Sequence, residues 1–342
     1  MKRMKYDLTV IIPVYNMEKM LVRCLDSIVI QTSLKDCSLR VICVNDGSTD
    51  GSQKILEEYS DRYSFIEYVN QNNGGVSAAR NTGLDLVKDS EYITFIDPDD
   101  SIYPNYLEKF LLNKGADVLY FDFDLVDSSE KIVKSLVVNP FYSKEYTNDI
   151  NLRYFLLSKH ASWTRIYKSK IIDNFRFPLG KIYEDIALMP FLSSRCTSVT
   201  YIKQAIYRYT VNTEGSIMNS SKSNIFDIYD SLTYLFDLFG DRFDTYKEEL
   251  QYLAIEHLCV GHTYRLLHYA NSSKKDFKDI VLFMEKYFGK QWNKNKYVKR
   301  GVQKVNINSS LSKIVPMFLV TLKYGGSHIF SLLKKVISTQ SK

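Results

Sequence analysis

The first hundred residues alternate short apolar runs with amphipathic segments, and that alternation restricts the fold more than any other feature of the chain. Leu8–Val14, Leu39–Val44, Phe65–Val69 and Tyr92–Ile96 are the apolar runs, and Val118–Phe123 makes a fifth. Each has the length of a strand. After the first, Leu21, Leu25 and Ile28 fall at helical spacing with Asn16 placed as a cap, and Val76–Val87 gives another helix. Strands joined by crossover helices build a mostly parallel sheet, so the expectation is an α/β fold.

Polar residues follow directly on these runs: Tyr15 and Asn16, Asn45 and Asp46, Asn70 and Gln71, and Asp97. Open α/β sheets bind ligands beyond the carboxyl ends of their strands, so these four segments are expected to converge on one cleft. No GxGxxG follows the first strand and no GxxxxGK occurs, which excludes a dinucleotide fingerprint and a Walker loop. In Val44–Ser52, Gly47 makes a turn, Thr49 or Asp50 can cap the next helix, and Asp46 can accept a hydrogen bond from a base or ribose. Asp97, Asp99 and Asp100 crowd three carboxylates beyond a buried strand. Their repulsion is relieved by a hard cation such as Mg²⁺ or Mn²⁺, which also binds substrate phosphates. The plainer alternative is an acidic turn capping a helix near Pro104.

The length of 342 residues, 45% of them hydrophobic, suits a large domain with a smaller one. A net charge of +6, from 45 basic and 39 acidic residues, suits phosphorylated substrates or an anionic membrane. It is too weak to indicate nucleic acid, and no zinc-finger spacing accompanies it. Cys24, Cys37, Cys43, Cys196 and Cys259 are odd in number without CxxC spacing, so reduced thiols in a cytoplasmic protein are expected. Asp7 and Thr9 interrupt any signal-peptide stretch, and no run reaches the ~20 apolar residues that span a bilayer.

Four ordered motifs carry a resemblance. Ile11–Asn16, Val44–Asp50, Gly74–Leu84 and Asp97–Asp99 are similar to the family-2 glycosyltransferases of the GT-A fold, over roughly the first 220 residues. The resemblance implies a Rossmann-like, mostly parallel sheet flanked by helices. It implies that Pro13 and Tyr15 line the base pocket, Asp46 contacts the uracil or its ribose, Arg80 and Asn81 lie near the nucleotide and sugar, Asp97 near the ribose, and Asp99 on the metal. Arg80 has the alternative of pairing with one of these carboxylates.

Tyr183–Ala187 resembles the family's acidic pair at a helix start, which makes Asp185 the candidate catalytic base and Glu184 its neighbour. Inverting transfer needs such a carboxylate to take the acceptor hydroxyl's proton, although both acids also suit a helix N-terminus. Trp163, in a strand-like piece reaching Tyr167, resembles an acceptor-side position and is equally suited to a core. Arg208 and Gly215–Ile217 resemble a segment closing over the pyrophosphate, but the longer stretch Thr210–Glu214 departs from that pattern.

A boundary near residue 220 divides a catalytic domain, 1–220, from a helical region, 221–342, with an apolar stripe at Ile225, Ile228, Leu232, Leu235 and Phe236. Basic residues beside Trp292 and Tyr297, and again from Ser309 to Lys335, suit the interface of an anionic leaflet, with packing on the chain's own domain or a second subunit as the rival. The expected activity is inverting transfer of one sugar from a nucleotide donor, UDP-linked, to a hydroxyl of a glycan or lipid-linked acceptor on the inner face of a bacterial membrane. The alternatives are a sugar-nucleotide pyrophosphorylase, disfavoured by Pro13–Asn16 where a glycine- and arginine-rich loop is needed, and a non-catalytic glycan-binding protein.

Overall fold

The structure, a computed structural model, describes residues 5–139, 148–211, 224–269, 273–300 and 315. The chain forms two compact units, Met1–Ser216 and Ile217–Lys342.

In the first unit the strands are β1 (Tyr6–Val14), β2 (Leu39–Asn45), β3 (Ile66–Asn70), β4 (Ser90–Phe95), β5 (Ser101–Ile102), β6 (Val118–Val126), β7 (Ile132–Leu136), β8 (Arg165–Lys168) and β9 (Val199–Thr210). The helices are α1 (Leu21–Val29), α2 (Ser52–Arg62), α3 (Val76–Leu86), α4 (Tyr106–Asn113), α5 (Asn148–Leu156), α6 (Ser169–Ile172) and α7 (Glu184–Ser194). The strands make one sheet in the order β3-β2-β1-β4-β8-β6-β9-β5, with β7 added on β6. β1 to β4 are parallel, as is β6 with β9; β8 runs antiparallel between β4 and β6.

The first four strands follow the apolar runs because each run is buried. Leu8, Val10, Ile11, Ile12 and Val14 of β1 are all buried, as a parallel strand covered on both faces requires. On one face lies α3, whose Gly83 permits the approach: a Cβ there would overlap Ile11 Cγ2. β7 gave no such signal, since its side chains are largely exposed. β5 has only two residues, too few for a period.

Two local expectations are corrected. Asn16 does not cap α1, which is preceded by Met20 without a side-chain cap; Asn16 instead takes a left-handed φ of 52° and joins the loop after β2. Trp163 stands in a short 3₁₀ turn, Ser162–Thr164, rather than in the strand that follows. All five cysteines are free and buried, and burial pushes the thiols of Cys37 and Cys43 up to about 12.

The second unit is helical where described. Asp227–Phe239 buries Ile228, Leu232, Leu235, Phe236 and Phe239 on one face, and Lys247–Ala254 runs into a π-helical segment, Ile255–His262. Trp292 and Tyr297 are buried here, the Tyr297 hydroxyl bonding to Glu249. They are core side chains, so the interfacial reading loses its aromatic partners in this stretch. The segment Ser309–Lys335 lies outside the described residues apart from Val315. Among the described residues no helix is long and apolar enough to cross a membrane.

Candidate active site

The carboxyl ends of β1, β2 and β3 are bound together by their polar residues. Asn16 accepts from the Thr49 main chain at 2.8 Å, and the Asn45 amide donates to Asn70 at 2.8 Å. Asp46, 2% exposed, accepts from the Gln71 side chain at 2.7 Å and from the Gly74 and Gly75 main chains at 2.8 Å each. Its carboxylate therefore fixes the loop leading into α3, a task that sequence reasoning did not assign to it. Gly75 holds a φ of 85° immediately before that helix, in the left-handed region that favours glycine. Pro13 is buried in β1, whereas Tyr15 beyond it is 45% exposed at the rim.

Arg80 organises the opposite side. Its guanidinium, 4% exposed, donates to Asp97 at 2.9 Å and to Glu184 at 2.6 Å, and lies 5.5 Å from the centre of the Phe177 ring. Burial opposes its charge, but Asp97 and then Glu184 more than offset that and raise its pKa. This is the ion-pair alternative for Arg80. The Asn81 amide is spent on the Phe177 main chain, donating to its carbonyl and accepting from its N–H at 2.8 Å each. Asp85 pairs with Arg176 at 2.6 Å. Thus α3 holds the segment from Arg176 to Glu184 at three points and delivers Asp185 to the site.

Asp185 is the second residue of α7, which Glu184 opens after Tyr183, whose left-handed φ of 66° is unusual for a residue with a side chain. The carboxyl accepts from Ile186 N–H at 2.8 Å. Burial, and then Glu184, push its pKa up to about 7, with Arg80 pulling the other way. A carboxylate poised near neutrality can accept a proton in one step and return it in another.

The three acids beyond β4 have separate tasks. Asp97 pairs with Arg80. Asp100 is fully buried, taking the Tyr207 hydroxyl and the Thr210 main chain at 2.7 Å each, and burial with Asp99 and Asp97 pushes its carboxyl well above the usual range. Tyr207 also receives the Asp97 N–H at 3.2 Å, so β9 is tied to both ends of this turn. Arg23 on α1 adds a third tie, donating to the Asp99 carbonyl at 2.5 Å and the Thr210 hydroxyl at 2.7 Å. Neither Arg23 nor Tyr207 was marked in the sequence; both act through main-chain or long-range contacts that no local pattern carries.

Asp99 is left partly exposed at the rim. Among the described residues no group of three or more His, Cys, Asp or Glu can hold a metal ion. A caged structural metal does not fit this set. A Mg²⁺ or Mn²⁺ completed by substrate phosphates needs only one or two carboxylates, which Asp99, with Asp97 beside it, would supply.

Trp163 takes the core alternative, and Arg208 is engaged by neighbours of its own strand's sheet. Trp163 is buried, stacked on Tyr207 at 4.4 Å and on Tyr209 at 5.4 Å with Phe123 against its edge, so it supports the floor under Asp97 rather than offering a face to a sugar. Arg208 lies 4.0 Å over the Tyr103 ring and 3.6 Å from Glu130. The Gly215–Ile217 turn lies outside the described residues.

Residues 9–171 match the family described as glycosyl transferase family 2. They form a family-2 glycosyltransferase domain. The chain is 34% identical over 225 residues to glycosyltransferase GlyA of Streptococcus pneumoniae, covering 61% of this chain and 31% of GlyA. It is 31% identical over 240 residues to the minor teichoic acid biosynthesis protein GgaB of Bacillus subtilis, covering 65% of this chain and 25% of GgaB. The chain thus spans about a third or less of these relatives' length. S. aureus TarS 1–349 in complex with UDP-GlcNAc shares the fold at a TM-score of 0.71 and 19% identity, over 93% of this chain and 90% of that one. The transferase domain therefore sits in a GT-A architecture, with its mostly parallel sheet flanked by helices and a helical C-terminal region after it.

Proposed function

We propose that the chain is an inverting glycosyltransferase moving one sugar from a UDP-linked donor to a hydroxyl of a glycan or lipid-linked acceptor in surface polysaccharide synthesis. The observation that carries this is Arg80: by pairing with both Asp97 and Glu184 it sets Asp185 beside the carboxyl edge of β4. The printed descriptions of GlyA, GgaB and the TarS complex agree with a transferase of this class.

In this reading Asp185 takes the proton of the acceptor hydroxyl as that oxygen bonds to the anomeric carbon. The bond from that carbon to the phosphate oxygen breaks, and the nucleoside diphosphate leaves with the electron pair. A divalent cation on Asp99, when bound, would offset the charge gathering on the diphosphate. Asp46 holds the loop beside the base, and Tyr15 offers its ring at the rim.

The test is Asp185→Asn against Glu184→Gln in one transfer assay with a UDP-sugar panel. Loss of the base is expected to lower kcat by ~10² to 10⁴ with donor KM little changed. Near-normal transfer by Asp185→Asn would move the base elsewhere. Asp99→Ala is expected to abolish the metal-dependent part of UDP binding in calorimetry.

A further inference from the structure

β9 departs from its regular register beside β6. Ile202 faces Phe121, but Ala205 faces Asp122, so Lys203 and Gln204 are extra residues in a bulge. The bulge opens a groove of about 440 Å³, lined by Asp122, Asp124, Tyr103, Asn105, Lys203 and Gln204 among others. That volume lies within the ~300–1,000 Å³ of sites that take small organic ligands.

Asp124 is the informative member. It is 4% exposed, and one carboxylate oxygen accepts the Tyr103 hydroxyl at 2.5 Å. The other oxygen is buried and has no donor among the described residues. Buried polar atoms are nearly always satisfied, so an orphan acceptor lining an open groove marks a place for a ligand's donor. Asp122, beside it, uses one oxygen for the Tyr201 hydroxyl and the Val138 N–H.

The lining selects the ligand. Two carboxylates against the single lysine, Lys203, leave the lining net acidic and disfavour phosphates and other anions. A metal is disfavoured, because no group of three suitable side chains exists among the described residues. Acceptors set beside the amides of Asn105 and Gln204 complement a neutral polyol, whose hydroxyls donate to the acids and accept from the amides. From Gln204 to Thr210, which donates to Asp100, is about 20 Å along the same strand. We propose that the groove is a second saccharide site, holding a neutral hexose or N-acetylhexosamine unit of the acceptor glycan remote from its reacting end. This rests on reading the chain as a transferase to glycans.

The experiment titrates the full chain, without donor, with neutral oligosaccharides of two to six hexose or N-acetylhexosamine units, using saturation-transfer NMR and calorimetry. Asn105→Ala and Gln204→Ala alter side chains on the groove wall, and Asp124→Asn keeps an acceptor for Tyr103; thermal melts confirm that each folds. Binding by the parent chain that weakens at least tenfold in these variants, and not in Asp185→Asn, supports the site. Absence of binding across the panel overturns it, as does binding that the three variants leave unchanged. Hydrolysis of UDP-sugars by the same preparations reports separately on the transferase reading, so the two can fail independently.

Discussion

Replacing Arg80 by Met tests the central link of the site without needing any substrate. The side chain keeps most of its apolar stem but loses the charge shared by Asp97 and Glu184, at 2.9 and 2.6 Å. Each pair at ~4 Å between charge centres is worth about 4 kcal/mol at an effective dielectric of ~20. Bringing the guanidinium out of water cancels much of that. What remains is the cost of leaving two carboxylates near each other and near Asp185 with no cation, for which ~3–5 kcal/mol is typical of a broken buried pair. The carboxylates retain 22% and 15% exposure, so water recovers part of the loss and the lower end, about 3 kcal/mol, is expected. Urea unfolding at pH 7.5 measures it, with Glu184→Gln and the double variant completing a cycle. Glu184→Gln should cost less in the Arg80→Met background than in the parent, by ~1–3 kcal/mol. A loss under about 1 kcal/mol, or a cycle that closes with no coupling, would show that Arg80 does not hold the site together.

Three further outcomes follow from the same geometry. Asp46→Ala removes three hydrogen bonds to a buried carboxylate and should destabilise the fold by ~2–4 kcal/mol as well as weaken UDP binding; unchanged unfolding with weakened binding would return Asp46 to a purely ligand-facing role. Because the raised pKa of Asp185 is about 7, its basic form is lost as pH falls below that value, and the transfer rate should drop about tenfold per pH unit there. Glu184→Gln removes the second cause of the rise and should move that limb to lower pH; a fixed limb assigns it to another group. Gly83→Ala should cost ~1–3 kcal/mol in thermal unfolding, since the new methyl overlaps Ile11, and an unaffected melt would show that α3 can lift from β1 at little cost.

The parallel half of the sheet was legible because β1, β2 and β4 are buried and so appear as continuous apolar runs, with the polar residue after each marking the cleft edge. In the other half the apolar run Val118–Phe123 and the piece reaching Tyr167 marked β6 and β8 as strands, but not how they pair. β8 enters antiparallel between β4 and β6 from more than forty residues along the chain, a pairing that only long-range packing decides. The site divides in the same way. Asp97 and Asp99 stand out because carboxylates crowded beyond a buried strand repel one another, and Asp185 because the acidic pair it forms with Glu184 resembles a family motif. The supporting groups carry no such mark, since an arginine on α1 or a tyrosine in β9 is ordinary until the fold brings it to the turn.

The same distinction explains why a motif read as ligand-binding became an internal brace. Arg80, Asn81 and Asp85 lie within six residues of one helix, and each reaches a different point of the segment that ends at Glu184. A nucleotide contact needs only that side chains face the cleft, and the sequence pattern satisfies that as readily as it satisfies a brace. What separates the two is occupancy. The Asn81 amide already makes one donor and one acceptor contact with Phe177, and the Arg80 guanidinium already answers two carboxylates. If Asp185 is the base, as proposed, their effect on transfer runs through its position, and damage to α3 should lower kcat and disturb its pH profile more than it weakens nucleotide binding.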